Sequence, residues 1–512
     1  MPEKTWAKIK AKIQSQWRIC FLTALVLGLA AHFYKITNWL PNWDSLVFRY
    51  DGQNMLRLGR WFLSVACAAS TFYDLPWIGG LLAIVFHGLG AVCVCRIFDV
   101  KKNMTAVLIG GMIATFPTVT SVMMYNYVAD GYGLSFFLAT LAALCMTKEK
   151  PNFVAGGLMI MLSVAIYQAY ITVTILLLLC WLIREAIRKE TTVQQLLMKS
   201  LGFLLTGIAG MLLYYLVLTV LLKVTGTELL TYQGIENTAA MASIDLVKSF
   251  YVIKESFLNY FFDFSQGIRL FPVINCLVGI VTVGLYLADI IKNRTSFGKL
   301  ILLFAFLVLM PIGASVLALL NGDIDYHNLM KMGFFVFYLF LILQYEKADF
   351  SKEKLNAAKL WSIFGICVVL VFYQVLIANV CYHKLQIAYE KSYGTLIRIA
   401  DRIEQTEGAE DCDRILVLGG LPGSEAYSVD LLPNMTGATD SYIIKADDES
   451  VEQSVLCSAL NDYCGKNYSF IAGAEKEALL QKIDKKALAI WPEKDAVFLL
   501  DQVIVISLGN EG

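Results

Sequence analysis

A chain of 512 residues that is 57% hydrophobic, 16% charged and has a mean hydropathy of +0.61 is short of polar surface, because soluble chains run at about a quarter charged. These proportions exclude disordered, collagenous and disulfide-scaffold classes. The 42 basic and 42 acidic residues cancel, so there is no basic excess to bind nucleic acid.

The N-terminal stretch carries Lys4, Lys8, Lys10, Lys12 and Arg18 beside Trp6 and Trp17, and runs into an apolar segment at 20–34. No small-residue cleavage site follows. It therefore reads as an uncleaved signal-anchor, with residues 1–17 lying as a helix on the cytoplasmic membrane surface. A spanning helix needs about 20 apolar residues. Candidates recur near 18–34, 77–97, 104–124, 131–147, 153–167, 169–184, 200–222, 271–291, 299–320, 329–345 and 360–382. The run 153–184 is too long for one span and is read as a hairpin reversing at Tyr167-Gln168; one strongly tilted helix is the alternative. Residues 61–70 are too few to span and read as an interfacial or re-entrant helix. Phe116-Pro117 predicts a kinked end to the third span, and the Phe- and Tyr-rich stretch 249–264 reads as an interfacial aromatic belt.

Beyond 383 the composition changes. Residues 383–407 predict an amphipathic helix with Leu385, Tyr389, Leu396, Ile399, Ala400 and Ile403 on one side. Arg414–Leu418 reads as a short buried strand, 451–463 and 475–483 as helices, and 497–500 with 503–506 as a strand pair around Asp501-Gln502. About 130 residues suffice for a small domain. The fold class is thus mainly α: a polytopic helical membrane protein of about eleven transmembrane helices with a small C-terminal extracytoplasmic α/β domain. Its parts are the N-terminal segment 1–17, the multispanning domain 18–382 and the soluble domain 383–512. Most of the twelve cysteines lie in apolar runs, where Cys acts as a small hydrophobe. Cys412, Cys457 and Cys464 lie in the polar C-terminal part, where one pair is open to bridging if that part is extracellular.

Orientation follows from the bias of Lys and Arg toward cytoplasmic loops. With the N-terminus inside, Lys101/Lys102, Lys148/Lys150, Arg184/Arg188/Lys189, Lys292/Arg294 and Lys352/Lys354/Lys359 fall on the cytoplasmic side. An odd number of spans then leaves the C-terminal domain outside. The net charge of zero splits accordingly: residues 383–512 hold 12 basic and 22 acidic residues, and the remainder holds 30 and 20.

Three outer segments collect polar residues. The first contains Asp44, Arg49, Asp51, Arg57 and Arg60, close to Trp61. A carboxylate here is able to act as general base on a hydroxyl, and an arginine to hold a phosphate through its planar fork. The plain alternative is a solvated loop whose arginines reach lipid headgroups. The second is Tyr125-Asn126-Tyr127-Val128-Ala129-Asp130, where Asp130 either lines a polar cavity or caps a helix. The third holds Asp323, Asp325 and His327, with Lys331 just beyond; it is either a polar turn or a divalent-metal site of unspecific spacing. Tyr167-Gln168 opens on the same side. No P-loop, dinucleotide fingerprint, HExxH or GxSxG occurs, and 419–423 reads as a glycine turn.

Taken together, Gly59-Arg60-Trp61, the Pro-Trp-Ile-Gly-Gly-Leu-Leu run at 76–82, Phe116-Pro117, the 125–130 segment, the Leu-Ser-Val-Ala-Ile-Tyr-Gln-Ala-Tyr run at 162–170 and the Asn-Gly-Asp at 321–323 resemble the glucosyltransferase II type of bacterial membrane protein. That type is associated with serotype-converting modification of surface polysaccharide. The resemblance covers roughly 20–345 and rests on short motifs in order. It implies a lipid-carrier-dependent, GT-C-like membrane glycosyltransferase of the bacterial cytoplasmic membrane. Such an enzyme takes a hexose, glucose, from a polyprenyl-phosphate sugar and passes it to a cell-surface glycan outside. Carried over, Asp44 and Asp51 are the base candidates, with the choice between them open. Asp130, Asp323, Asp325 and His327 are donor or acceptor contacts, joined by Tyr167 and Gln168 at the outer turn. Arg57, Arg60 and Lys331 are phosphate contacts. No cofactor is implied beyond a possible divalent metal ion. The competing readings are a transporter or flippase of a lipid-linked glycan, and a non-catalytic protein of envelope polysaccharide assembly.

Overall fold

The computed structural model describes residues 2–230, 245–263, 270–319, 324, 326–348, 353–420, 449–483 and 488–509. In chain order the helices are α1 (Pro2–Lys12), α2 (Ser15–Thr37), α3 (Trp43–Val47), α4 (Leu63–Ala66), α5 (Pro76–Ile97), α6 (Asn103–Ala114), α7 (Pro117–Met124), α8 (Ala129–Thr147) and α9 (Phe153–Ile166). Then follow α10 (Ile171–Ile187), α11 (Val193–Thr225), α12 (Leu246–Phe262), α13 (Leu270–Asn293), α14 (Phe297–Ala314), α15 (Phe335–Lys347), α16 (Glu353–Glu404), α17 (Glu449–Cys464) and α18 (Gly473–Leu480). The strands are β1 (Arg414–Leu418), β2 (Ser469–Phe470), β3 (Val497–Leu500) and β4 (Val503–Ser507).

Two compact units result, one of Met1–Thr37 with Asp51–Asn379, the other of Asn38–Tyr50 with the described residues from Val380 on. The first is the polytopic bundle. Among its described residues and those of α16, nine helices are long and apolar enough to cross a membrane. The other two segments expected to span form shorter helices, α9 and α15.

Local chemistry sets several boundaries. Pro76 and Pro117 stand in the first turns of α5 and α7, where the missing N–H costs nothing. Phe116 is extended at ψ 139°, as a residue before proline prefers. The expected kinked end is therefore a full break between α6 and α7 inside the 103–124 run. Thr192 and Gln195 form a reciprocal capping box on α11, and Gly226 ends that helix in the left-handed region at φ +64°. Of the helix expected over 61–70, only Leu63–Ala66 forms.

The reversal at Tyr167-Gln168 is real. Ser135 of α8 meets Ser163 of α9, Thr174 of α10 donates to Ala139 O of α8 at 2.9 Å, and Arg184 at the far end of α10 donates to Phe98 O. Thus α9 and α10 run in opposite directions along α8. Small residues let these helices approach: a Cβ on Gly133 would lie 2.9 Å from Ala83 Cα, and one on Gly210 at 2.9 Å from Gly157 O. The aromatic stretch of α12 divides. Phe250 and Tyr251 are exposed, as a belt would be, whereas Phe261 stacks on Phe334 with centroids 5.7 Å apart, inside the protein.

One end of the bundle gathers the basic loops. Gln16 donates to Lys101 O, the Lys101 and Lys102 N–H groups donate to Glu346, Asn293 donates to Ile187 O, and Lys299 to Arg188 O. The helix ends at 37 and 76 and around 124–129 and 166–171 lie at the opposite end.

In the second unit the sheet runs β2-β1-β4-β3, with β1 parallel to β2 and β4, and β3 antiparallel to β4. Period-two alternation sends Ile415, Val417, Ile504 and Ile506 into one core with Leu396, Ile399 and Ile403 of α16, and Leu416, Leu418, Val503 and Val505 into another with Leu479 of α18. The β3–β4 turn uses Asp501 and Gln502, both at positive φ, as a two-residue hairpin does. The amphipathic face predicted for 383–407 is buried as expected, but it belongs to a continuous helix of 52 residues, about 78 Å long. Leu46 from α3 joins the first of these cores, and Arg49 bridges Asp462 at 2.9 Å. Cys412, Cys457 and Cys464 are free thiols, so no pair is bridged.

Candidate functional site

The end of the bundle opposite the basic loops holds the candidate site. The turn before Trp61 is closed by a bridge between Met55 and Arg60 and by Gly59 at φ +73°, a conformation costly for other residues. Gln168 donates to Leu58 O at 2.7 Å and Tyr214 to Gly59 O at 2.9 Å, so this turn is fixed from α11 and from the α9–α10 reversal. Arg60 is thereby aimed at an aromatic group. Its Nη1 donates to the Tyr132 hydroxyl at 3.1 Å, and its Cζ lies 4.9 Å from the Tyr167 ring centroid. The Tyr132 and Tyr167 rings stack at 4.5 Å, with Tyr170 edge-on to Tyr167 at 5.4 Å. A guanidinium held over an aromatic ring and bonded to a hydroxyl keeps its charge while its position is set by packing.

Two residues before Tyr132, Asp130 is buried. It is not the helix cap: that position is Val128, and Asp130 is the second residue of α8. One carboxylate oxygen accepts the Ser70 hydroxyl at 2.7 Å, the other the Gly131 N–H at 2.9 Å. The helix dipole favours an acid in this turn. Cys67 lies beside it; burial, then the Asp130 carboxylate, push this thiol well above the usual range, which favours its neutral form.

Lys35, in the last turn of α2, is fully buried and donates to Asn126 Oδ1 at 2.9 Å. Asp74, also buried, lies within electrostatic reach of it. A Cβ on Gly79 would touch both Asn126 O, at 3.3 Å, and the Ser70 side chain, at 3.6 Å, so the Lys35 and Asp130 groups are neighbours. Lys35, Ser70, Asp74 and Tyr132 were not anticipated. Lys35 alone carried a signal, as a cation within an apolar span.

The remaining predicted residues are dispersed. Asp51 is exposed and accepts its own loop's Gln53 N–H at 2.6 Å. Arg57 is exposed, and its Nε donates to Glu228 O. Asp44 belongs to the second unit, half-buried in α3, a helix capped by Asn42. The early loop is therefore two pieces, not one cluster, and Arg49 is an ion-pair partner within the second unit. Lys331 is buried with its Nζ 5.9 Å from the Tyr260 ring, in the turn where Thr118 donates to Asn328 O; His327 precedes that turn. Asp323 and Asp325 lie outside the described residues. Among the described residues no three His, Cys, Asp or Glu side chains converge to hold a metal ion.

Residues 33–344 match the family model for glucosyl transferase GtrII. The chain belongs to this family. The match takes in the bundle from the end of α2 to α15, with every residue of the Arg60–Asp130 site, and leaves out the C-terminal α/β sheet. No curated protein and no solved structure matches the chain. Membership makes the protein a polytopic member of a glucosyl transferase family, and the buried charges at one bundle end lie within the segment that defines it.

Proposed function

We propose that the protein transfers glucose from a polyprenyl-phosphate sugar to a cell-surface glycan. In this reading the Arg60 end of the bundle faces the outside of a bacterial cytoplasmic membrane, and the C-terminal domain is extracytoplasmic. The observation that supports it, beside the family, is the gathering of Arg60, Tyr132, Tyr167, Ser70 and Asp130 at one end of an apolar bundle. A lipid-linked donor carries its phosphate at headgroup depth, where a cation and hydroxyls are needed above apolar walls.

In a single inverting displacement, the acceptor oxygen forms a bond to C1 as the C1–O bond to phosphate breaks. A carboxylate takes the hydroxyl proton. Asp51 is the first candidate, since it is exposed and shares a unit with Arg60; Asp44 is the second. Arg60, with Arg57 and Lys331, stabilises the departing phosphate. Asp130, through Ser70, orients the sugar together with Tyr167 and Gln168, and the Asp323, Asp325 and His327 turn contacts donor or acceptor.

The test is full-length protein in liposomes with a radiolabelled polyprenyl-phosphate glucose and an acceptor glycan. Transfer is expected, with loss in Asp51→Asn. Full transfer by both Asp51→Asn and Asp44→Asn removes the base assignment. Absence of transfer by wild type with every donor tried favours a flippase. Orientation is tested with an added cysteine at exposed Asp495, which should label from outside intact cells. Native Cys457 is a poor reporter, since burial pushes its thiol up to about 11.

A further inference from the structure

A cavity of about 490 Å3 lies between α10 and α12–α15, far from the acid–arginine group in sequence and in chemistry. Its walls are aliphatic and aromatic, including Ile187, Val278, Leu287, Ile290, Phe261 and Met310. Of its few polar groups, Tyr338 donates to Asn275 Oδ1 and Asn275 to Phe261 O, so the surface has little to offer a sugar, whose hydroxyls would go unpaired. Along α13 the wall runs from Asn275 to Ile290, about 22 Å of helix. That accommodates an acyl chain of one leaflet, roughly half of a ~30 Å hydrocarbon core. The bordering helices present their other faces outward: Ile280 on α13 and Phe304 on α14 are 72% and 71% exposed, as lipid-facing residues are. Gly279 and Val283 in the wall are exposed, and a Cβ on Gly279 would meet nothing within 4 Å, so the slot is open along the outer surface of the bundle, where a lipid chain can enter.

One end of this cavity is cationic. Tyr286 lines it and carries Lys347 over its ring at 4.9 Å. Lys347 pairs with Asp289 at 3.0 Å; Asp289 also accepts from Gln344 at 2.8 Å, and Gln344 accepts from Lys359 at 3.3 Å. Lys292 and Lys102 stand within electrostatic reach of Lys359, and Arg184 within reach of Tyr286. Four lysines with Arg184 and Arg188 thus stand beside three carboxylates, Asp289, Glu185 and Glu346; Glu185 is paired with Arg188 at 2.7 Å, and Glu346 is already engaged by the backbone N–H groups of Lys101 and Lys102. This end coincides with the basic-loop end of the bundle. A cationic rim continuous with an apolar slot matches one amphiphile: a single negative headgroup with a hydrocarbon chain.

We infer that this cavity is a binding site for an anionic phospholipid, with its phosphate on the Lys347–Lys359 rim and one acyl chain between α13 and α14. The cationic rim is at the bundle end opposite the proposed donor site, while the other end of the slot, at Phe261, packs on Tyr260, over which Lys331 lies; the assignment does not depend on the transferase reading. The bound lipid fastens the two sparsely buried helices α13 and α14 to the bundle.

The experiment uses full-length, delipidated protein in mild detergent, with phosphatidylglycerol or phosphatidylcholine of identical chains added, and reads native mass spectra and Tm. One phosphatidylglycerol should bind per chain and raise Tm by about 3 °C, while phosphatidylcholine and inorganic phosphate should not. Gly279→Phe and, separately, Val283→Phe fill the slot and should abolish binding. Lys347→Gln with Lys359→Gln should weaken it at least tenfold. If Gly279→Phe does not fold, Val283→Phe, at a position 58% exposed, carries the test. Equal binding of the two lipids, wild-type binding by the folded slot variants, or displacement of phosphatidylglycerol by a polyprenyl phosphate would overturn the assignment.

Discussion

The two ends of the helical bundle both carry charge but treat it in opposite ways. At the basic end most charges, among them Lys101, Lys148, Lys150, Arg188, Lys189, Lys292 and Arg294, are exposed, the buried Lys299 and Glu185 both meet Arg188, and several of the contacts that join loops are to backbone carbonyls. At the other end, Lys35, Asp74, Asp130 and Lys331 are buried. Exposed cations cost nothing and act by number, which suits the setting of orientation. Buried ones are stable only where a partner or an aromatic face is fixed beside them, so each must have a defined position. Positional demand is what supports the proposal of chemistry at the second end.

That contrast is open to breakage, beginning with its largest consequence. Asp51→Asn should lower kcat by about 10²–10⁴-fold with the donor KM little changed, measured by radiolabel transfer in liposomes. Arg60→Gln should cost about 10²–10³-fold. Arg60→Lys should recover little of it, because an ammonium lacks the planar face that lies on Tyr167 while donating to Tyr132; full recovery would show that charge alone suffices. Lys35→Met should destabilise the protein by about 3 kcal/mol, since it leaves buried Asp74 without its cation. Thermal unfolding in detergent reads this, and Lys35→Met with Asp74→Asn should restore part of the loss. At the basic end, Lys148→Gln with Lys150→Gln should change stability by no more than about 0.5 kcal/mol and leave transfer intact. A large effect there would erase the distinction between the ends.

Hydropathy found the spanning segments but not their places. The α6–α7 run and α11 are similarly apolar, yet nearly all of the one and only about a fifth of the other is buried in protein. Lipid and protein interior are equally apolar, so a one-dimensional index cannot tell them apart. The same blindness made all of 249–264 look like an aromatic belt, although Phe257, Tyr260 and Phe261 pack on Phe334. In the C-terminal part, alternation at 414–418 and 503–507 was readable because each strand buries one set of residues on each face of the sheet. The two-residue β2 was too short to leave a pattern.

What the sequence alone determined is therefore what local chemistry controls: the apolar spans, the reversal at Tyr167, the proline break at 116–117, the hairpin at Asp501-Gln502, and Arg60, Asp130 and Tyr167 as residues of interest. Tertiary structure decided which charges meet. Lys35 and Asn126 are 91 positions apart, Ser70 and Asp130 are 60, and Arg60 and Tyr132 are 72. The acids of the early loop, seven positions apart in the chain, went to different units, because Leu46 and Arg49 gain partners in the C-terminal domain while the turn at Gly59 is held by Gln168 and Tyr214. Proximity in the chain is a covalent fact. Proximity in the fold is set by which helix ends burial brings together, and only the packed bundle contains that information.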